Sequence, residues 1–271
     1  MLKSKSSLRL LVVCLVSLTL FGCVTTAPPP VSITSETSAQ SWSLQDERDE
    51  IFTLLAYAVV LKDWQVKGPD KRGHNIGSVL VDPTGTNVVF WARNCNAKLQ
   101  NGTQHGEVRL MIGYLDKIRS YNLKGYTVYT TLEPCAQCSG MMTLQSIGRT
   151  VYGQKDPGFG DAIERLNLDT SELPELLPEK YKVGYKPYPR GVTSIKSRSE
   201  FCKRIDDAYA NYEGSITGFL LTDEAKEIYD DALRALNTYE VKFPENAGVV
   251  KHAQEYLESV SDEFTPIKPN I

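Results

Sequence analysis

Pro134-Cys-Ala-Gln-Cys138, read with His105-Gly-Glu107 about thirty positions upstream, constrains this chain more than any other feature. Cys135 and Cys138 are three apart, so one face of a helix carries both sulfurs. Pro134 suits the first helical position, where its missing N–H costs nothing. The positive end of a helix also favours thiolates over thiols. Two thiolates and one imidazole give three protein ligands to a borderline-soft ion such as Zn2+, with the fourth position open to water. A structural knuckle would close that position, and the sequence offers no fourth ligand for it. Glu107, two residues beyond His105, is placed to face the open position as a general base.

The paired motifs H-x-E and P-C-x-x-C form the signature of zinc-dependent base deaminases. At these residues the chain resembles the cytidine deaminase superfamily, in particular its branch of tRNA-adenosine and guanine deaminases. The resemblance runs from Ile76 to Gly153: Ile76-Gly-Ser-Val-Leu-Val81, Asn94, His105-Gly-Glu107, Thr131-Leu-Glu-Pro-Cys-Ala-Gln-Cys-Ser-Gly140 and Val151-Tyr-Gly153. Gly106, where relatives usually carry alanine, and the loop Pro157-Gly-Phe-Gly160 depart from the family pattern.

The resemblance implies hydrolytic replacement of an amino group on a nucleobase, nucleoside or nucleotide. Zinc would be held by His105, Cys135 and Cys138. Glu107 would pass the water's proton to the ring and then to the departing ammonia. It also implies that Asn94 holds the base and that Gly106 supplies backbone at the pocket wall. Phe159 either stacks on the base or fills space. Asn94 has a plainer reading as a loop cap. A homodimer is implied by relatives alone. The rival reading is a zinc-braced binding module that has lost turnover, for which Glu107 would have no chemical need.

The first residues read as an address. Lys3, Lys5 and Arg9 precede an apolar run, Leu10 to Phe21, too short for a membrane span of ~20 residues but suited to a secretory signal. Leu20-Phe-Gly-Cys23 resembles a bacterial lipoprotein box, with residues 1–22 removed and Cys23 lipidated; an ordinary signal peptide or uncleaved anchor is the alternative. Val24 after that cysteine resembles the default for release to the outer membrane. The expected location is therefore the cell envelope, lipid-anchored on the periplasmic side. Residues 23–43 are rich in Thr, Ser and Pro and read as a flexible tether.

Of six cysteines, only Cys95 and Cys202 remain without a role. An oxidising compartment would permit a disulfide between them, although nothing in the sequence brings them together. His74 and His252 show no partner pattern and read as ordinary surface residues.

The hydrophobic periodicity predicts an amphipathic helix over 44–63 and strands over 76–81 and 88–93, joined by a turn at Asp82-Pro-Thr-Gly85. It further predicts helix 105–119, strand 126–131, helix 135–146, strand 150–153, a short helix near 161–166, a fifth strand at Tyr181–Tyr185 and helix 196–212. The long link before the fifth strand requires a parallel crossover. The expected fold class is therefore α/β: a three-layer α/β/α body over 44–213 with a five-stranded mixed sheet. A C-terminal helical hairpin over 214–271 should pack on that body or on a second copy.

Charge is unevenly spread. Residues 214–271 hold 5 basic and 11 acidic groups, whereas residues 23–213 hold 22 of each. Eight basic residues between Lys180 and Arg204, interleaved with tyrosines, could track a phosphate backbone, meet lipid headgroups or form a solvated face. The acidic mature chain disfavours nucleic acid as the partner. A small base, nucleoside or nucleotide is the favoured substrate, with the membrane contacted through lipid.

Overall fold

The computed structural model describes residues 41–166 and 192–261, and Ser41–Ile271 forms one compact unit. The signal, most of the tether with Cys23, the strand expected at 181–185 and the first part of the basic stretch lie outside the described residues.

Helix α1, Leu44–Leu61, opens with a capping box: Ser43 accepts from the Asp46 N–H while Asp46 accepts from the Ser43 N–H. The sequence suggested an amphipathic helix, but α1 is enclosed on all sides. Every residue from Ile51 to Val60 is buried. Its charged first turn is satisfied inside the fold. Glu47 accepts the backbone N–H groups of Lys242 and Phe243 and the Asn246 amide, while Asp49 pairs with Arg149 at 2.6 Å and accepts from the Tyr129 hydroxyl.

The sheet follows. Strands β1 (Gly77–Val81) and β2 (Val88–Arg93) form a hairpin; Gly85 at its turn has φ +72°, a conformation glycine adopts without steric cost. Strand β3 (Thr127–Leu132) lies antiparallel to β1, and β4 (Arg149–Gln154) lies parallel to β3. The fifth strand of the described sheet is β5, Thr193–Lys196, parallel to β4, in the order β2-β1-β3-β4-β5. The strand expected at Tyr181–Tyr185 lies outside the described residues, and β5 takes the place beside β4 through its register with that strand. The parallel direction is as the crossover rule required.

Helices α2 (Gly106–Ile118) and α3 (Ala136–Leu144) cover one face of this mixed sheet. On the other lie α1, α5 (Glu200–Ala210), α7 (Asp223–Asn237) and α8 (Ala247–Glu258). The short α4 (Ala162–Leu166) and α6 (Ile216–Phe219) complete the described helices. No helix among the described residues is long and apolar enough to cross a membrane.

The C-terminal helices are part of the core. Tyr229 on α7 packs against Tyr57 and Trp64 with ring centroids 4.6 and 5.1 Å apart. Lys62 donates to the last carbonyls of α8 through Leu257 and to that of Val260, favourable at a helix C-terminus. His252, expected at the surface, instead accepts the Val88 N–H at 3.0 Å. It satisfies a donor on the edge strand β2 that would otherwise be open to another chain. Cys95 and Cys202 are separate buried thiols; Cys202 lies 3.8 Å from the Tyr57 hydroxyl.

Candidate active site

Two helix starts build the site. His105 is the N-cap of α2 and Cys135 the N-cap of α3, both with extended backbone. Pro134 therefore precedes the cap instead of occupying the first helical position, and its fixed φ guides the strand exit into the helix. Cys138 follows in the first turn of α3, fully buried. Gln137 donates to the Thr103 carbonyl at 2.9 Å and ties the two motifs together.

Each cysteine sulfur lies 3.5 Å from His105 Nδ1, and the sulfurs are 3.7 Å apart. Tetrahedral coordination with Zn–S near 2.3 Å and Zn–N near 2.0–2.1 Å requires separations of about 3.6 and 3.8 Å. The three side chains therefore fit zinc, the cofactor of this domain type, without rearrangement. The Cys138 thiol and the His105 ring hold the Cys135 sulfur low, at about 4, with Cys138 contributing most. A thiolate is the form that binds metal.

Glu107, in the first turn of α2, is buried within 3.5 Å of Cys138 Sγ. Burial pushes its carboxyl above the usual range. The Thr130 hydroxyl on β3 donates to Oε1 at 2.9 Å and fixes the carboxylate. Thr130→Val should lower kcat roughly 10-fold, the cost of one hydrogen bond to a charged group, with zinc content unchanged. Thr130→Ser should recover most of it. Equal kcat in the wild type and Thr130→Val would show that the contact is idle.

A cavity of about 360 Å³ opens beside these groups. His105, Glu107 and Cys135 line it, with Ile76, Asn94, Leu132 and Phe159. Asn94 is buried, and its Oδ1 accepts the backbone N–H groups of His74 and Asn96. It thus caps the loop and still lines the cavity, where its NH₂ group is the part left to offer. Phe159 is 70% exposed at the lining. Gly106 is not among the lining residues: a Cβ there would approach Gly77 Cα to 3.3 Å and the Ala92 carbonyl to 3.4 Å, so its small size lets α2 sit close on the sheet.

Sequence reasoning missed the rest of the wall. His74, read as a surface residue, lines the cavity. So do Glu133, Asp156, Ser215, Ile216 and Thr217. The last three come from the C-terminal segment expected to pack on the body or on a second copy, and no motif marks them. Glu133 lies inside the Leu-Glu-Pro-Cys motif, where spacing alone assigns it no partner. Its buried carboxylate accepts the N–H groups of Asp156 and Asp161 at 3.1 Å each and pairs with Lys155. Glu133 therefore holds the loop that carries Phe159.

Gly160 lies against that carboxylate and the Asp156 carbonyl, with no room for a Cβ. Gly160→Ala should displace the loop and cost about 1–3 kcal/mol of stability, read by thermal unfolding. A variant as stable as the wild type would show that the loop yields freely.

The described part of the basic stretch is neutralised. Arg198 pairs with Asp46, Lys203 with Asp207, Arg204 with Asp231 and Lys196 with Asp206.

With this geometry in hand, comparisons with known proteins place the chain. The model of the cytidine and deoxycytidylate deaminase zinc-binding region matches residues 48–154. A tRNA-specific adenosine deaminase of Rickettsia felis is 30% identical over 139 residues, 50% of this chain and 91% of that protein. A probable cytosine deaminase of Schizosaccharomyces pombe is 33% identical over 109 residues, 40% of this chain and 61% of that protein. A guanine deaminase structure from Bacillus subtilis is 19% identical with a TM-score of 0.33, over 46% of this chain and 75% of that one. The zinc-ligand set, the buried carboxylate beside it and the near-complete span of the Rickettsia felis relative lead to one conclusion: this chain belongs to the cytidine and deoxycytidylate deaminase family.

Proposed function

We propose that this protein is a zinc-dependent hydrolytic deaminase of a nucleobase, nucleoside or nucleotide, exchanging a ring amino group for a carbonyl and releasing ammonia. The observation that carries this reading is the buried Glu107 carboxylate, fixed by Thr130 beside a three-ligand set at the wall of a cavity. His105, Cys135 and Cys138 hold the ion; when bound, zinc supplies the Lewis acidity that brings a water's pKa towards ~7. Glu107 takes the proton from water as the oxygen adds to the amino-bearing ring carbon, and returns it to the adjacent ring nitrogen. It then takes the second water proton and hands it to the leaving amine, so that one water is consumed for each ammonia released. Asn94 offers its NH₂ to an acceptor on the base, and Phe159 borders the ring.

The test is ammonia release from cytosine, adenine and guanine compounds, as free bases, nucleosides and monophosphates, with zinc measured in the same samples. Release from at least one series supports the reading. Silence on all of them and on RNA oligonucleotides, with one zinc bound, would leave the metal-braced binding module instead.

Action on tRNA, suggested by the names of relatives, is the second reading. The carboxylate partners of all four described basic residues between Lys196 and Arg204 and the acidic C-terminal segment weigh against it. Attachment to the membrane through lipid on Cys23 belongs to the same proposal, supported by the basic, apolar and Leu-Phe-Gly-Cys sequence at residues 3–23. Labelled palmitate incorporation that disappears in Cys23→Ser would support it; an unlabelled wild type would refute it.

A further inference from the structure

The wall of the cavity beyond Glu107 is built with more care than a solvent-facing loop requires. Arg72 is buried; it pairs with Asp63 at 2.6 Å and also donates to the Asn94 carbonyl. Gly73 is pressed against Asn94 and Asn96 so tightly that a Cβ would collide with both. Asn75 is fully buried, accepts the Gln65 N–H and donates to the carbonyls of Gln65 and Leu220. Tyr229 donates to the Asn75 carbonyl at 3.3 Å. These bonds fasten the backbone on both sides of His74 and lock it to α6 and α7.

His74 is the exception in this fastened loop. Its backbone N–H is bonded to Asn94, yet neither ring nitrogen bonds to another described residue. The imidazole lines the cavity half-buried, and the hydroxyl residues Ser215 and Thr217 line the same cavity. Ser215 accepts the Gly218 N–H, and its hydroxyl lies 3.3 Å from that of Thr217, so one of the two donates to the other and the pair keeps one O–H to donate outward. A neutral imidazole offers one donor and one acceptor, and the hydroxyl pair adds one O–H and its remaining lone pairs. That set suits an uncharged polyhydroxyl group.

The charges around the cavity point the same way. None of the described residues that line it is Lys or Arg, whereas Glu107, Glu133 and Asp156 all do so. Lys155 offsets Glu133, and two thiolates offset a divalent ion. Among the described residues the lining has no surplus positive charge with which to hold a phosphate.

We propose that His74, with Ser215 and Thr217, forms a sugar subsite that makes this protein a nucleoside deaminase in preference to a free-base or nucleotide enzyme. The proposal rests on the deaminase reading above and deepens it.

Steady-state kinetics on the pairs adenosine and adenine, guanosine and guanine, cytidine and cytosine, with the 5′-monophosphates, test it. The wild type should favour the nucleoside over its base and over its monophosphate in kcat/KM. His74→Ala and Thr217→Val should each lower the nucleoside-to-base preference roughly 3- to 10-fold, the worth of a hydrogen bond between neutral groups. The loss should fall on KM more than on kcat. A preference unchanged in both variants, or a wild type that favours the monophosphate, overturns the subsite.

Calorimetry with the same compounds on zinc-loaded Glu107→Gln separates this from failure of the deaminase reading. Tighter binding of nucleoside than of base, weakened by His74→Ala, supports the subsite even when turnover is absent. Equal binding of base and nucleoside overturns it whatever the turnover.

Discussion

Glu107→Gln is expected to bind zinc as the wild type does, to unfold at nearly the same temperature, and to lose at least 10²–10⁴-fold in kcat, the usual contribution of a general acid–base group. The physical case rests on isolation. Glu107 is buried, and Thr130 supplies its only hydrogen-bonding hydroxyl among the described residues. Among the described residues no other carboxylate groups with His105 and both cysteines, and Glu133, another acidic group of the lining, is occupied by Lys155 and two backbone N–H groups. Glutamine keeps the shape and can still accept from Thr130, but it cannot carry a proton from water to base. Ammonia release by Glu107→Gln at more than a tenth of the wild-type rate would remove Glu107 from the mechanism. Loss of zinc in the same variant would mean that its role is to support the metal.

A chain ending at Glu213 is expected to be insoluble or to lack a cooperative unfolding transition, although it keeps every motif residue. Helices α7 and α8, with Val260 two positions past α8, contribute ten buried apolar side chains, from Ala225 and Ile228 to Leu257 and Val260. At about 1.5–3 kcal/mol for each full-sized side chain, their burial is of the same order as the roughly 5–15 kcal/mol by which a typical domain is stable. Their removal would also bare one side of α1, whose residues from Ile51 to Val60 have no polar face to turn to water. Glu47 and Lys62 would lose their partners on the extension. A soluble 41–213 fragment with a sharp thermal transition would show that the extension is dispensable.

The site was legible in the sequence wherever chemistry fixes spacing. A metal that needs two thiolates and an imidazole leaves few ways to write them, and Cys135, Cys138, His105 and Glu107 meet in space as their intervals required. The hairpin turn at Asp82–Gly85 and the parallel crossover were readable for a similar reason, because backbone geometry restricts which residues and lengths can serve. Elements whose identity depends on a partner were harder to read. Thr193–Lys196 is too short to announce itself in the sequence, yet it is the strand that pairs with β4 on the side away from β3. His74 and His252 carry no local signal, and their surroundings come from segments distant in the chain.

The sequence alone determined the chemistry: three ligands, an adjacent carboxylate and the strand-to-helix frames that present them, all set by local spacing and by what zinc accepts. Only the tertiary structure decided the shape of the cavity around that chemistry and where residues 214–261 pack. Burial is a property of surfaces brought together from afar. Whether α1 is half-exposed or enclosed, and whether Ser215 to Thr217 trail in solvent or wall a binding cavity, depends on how α7 and α8 meet Leu54, Tyr57 and Val59.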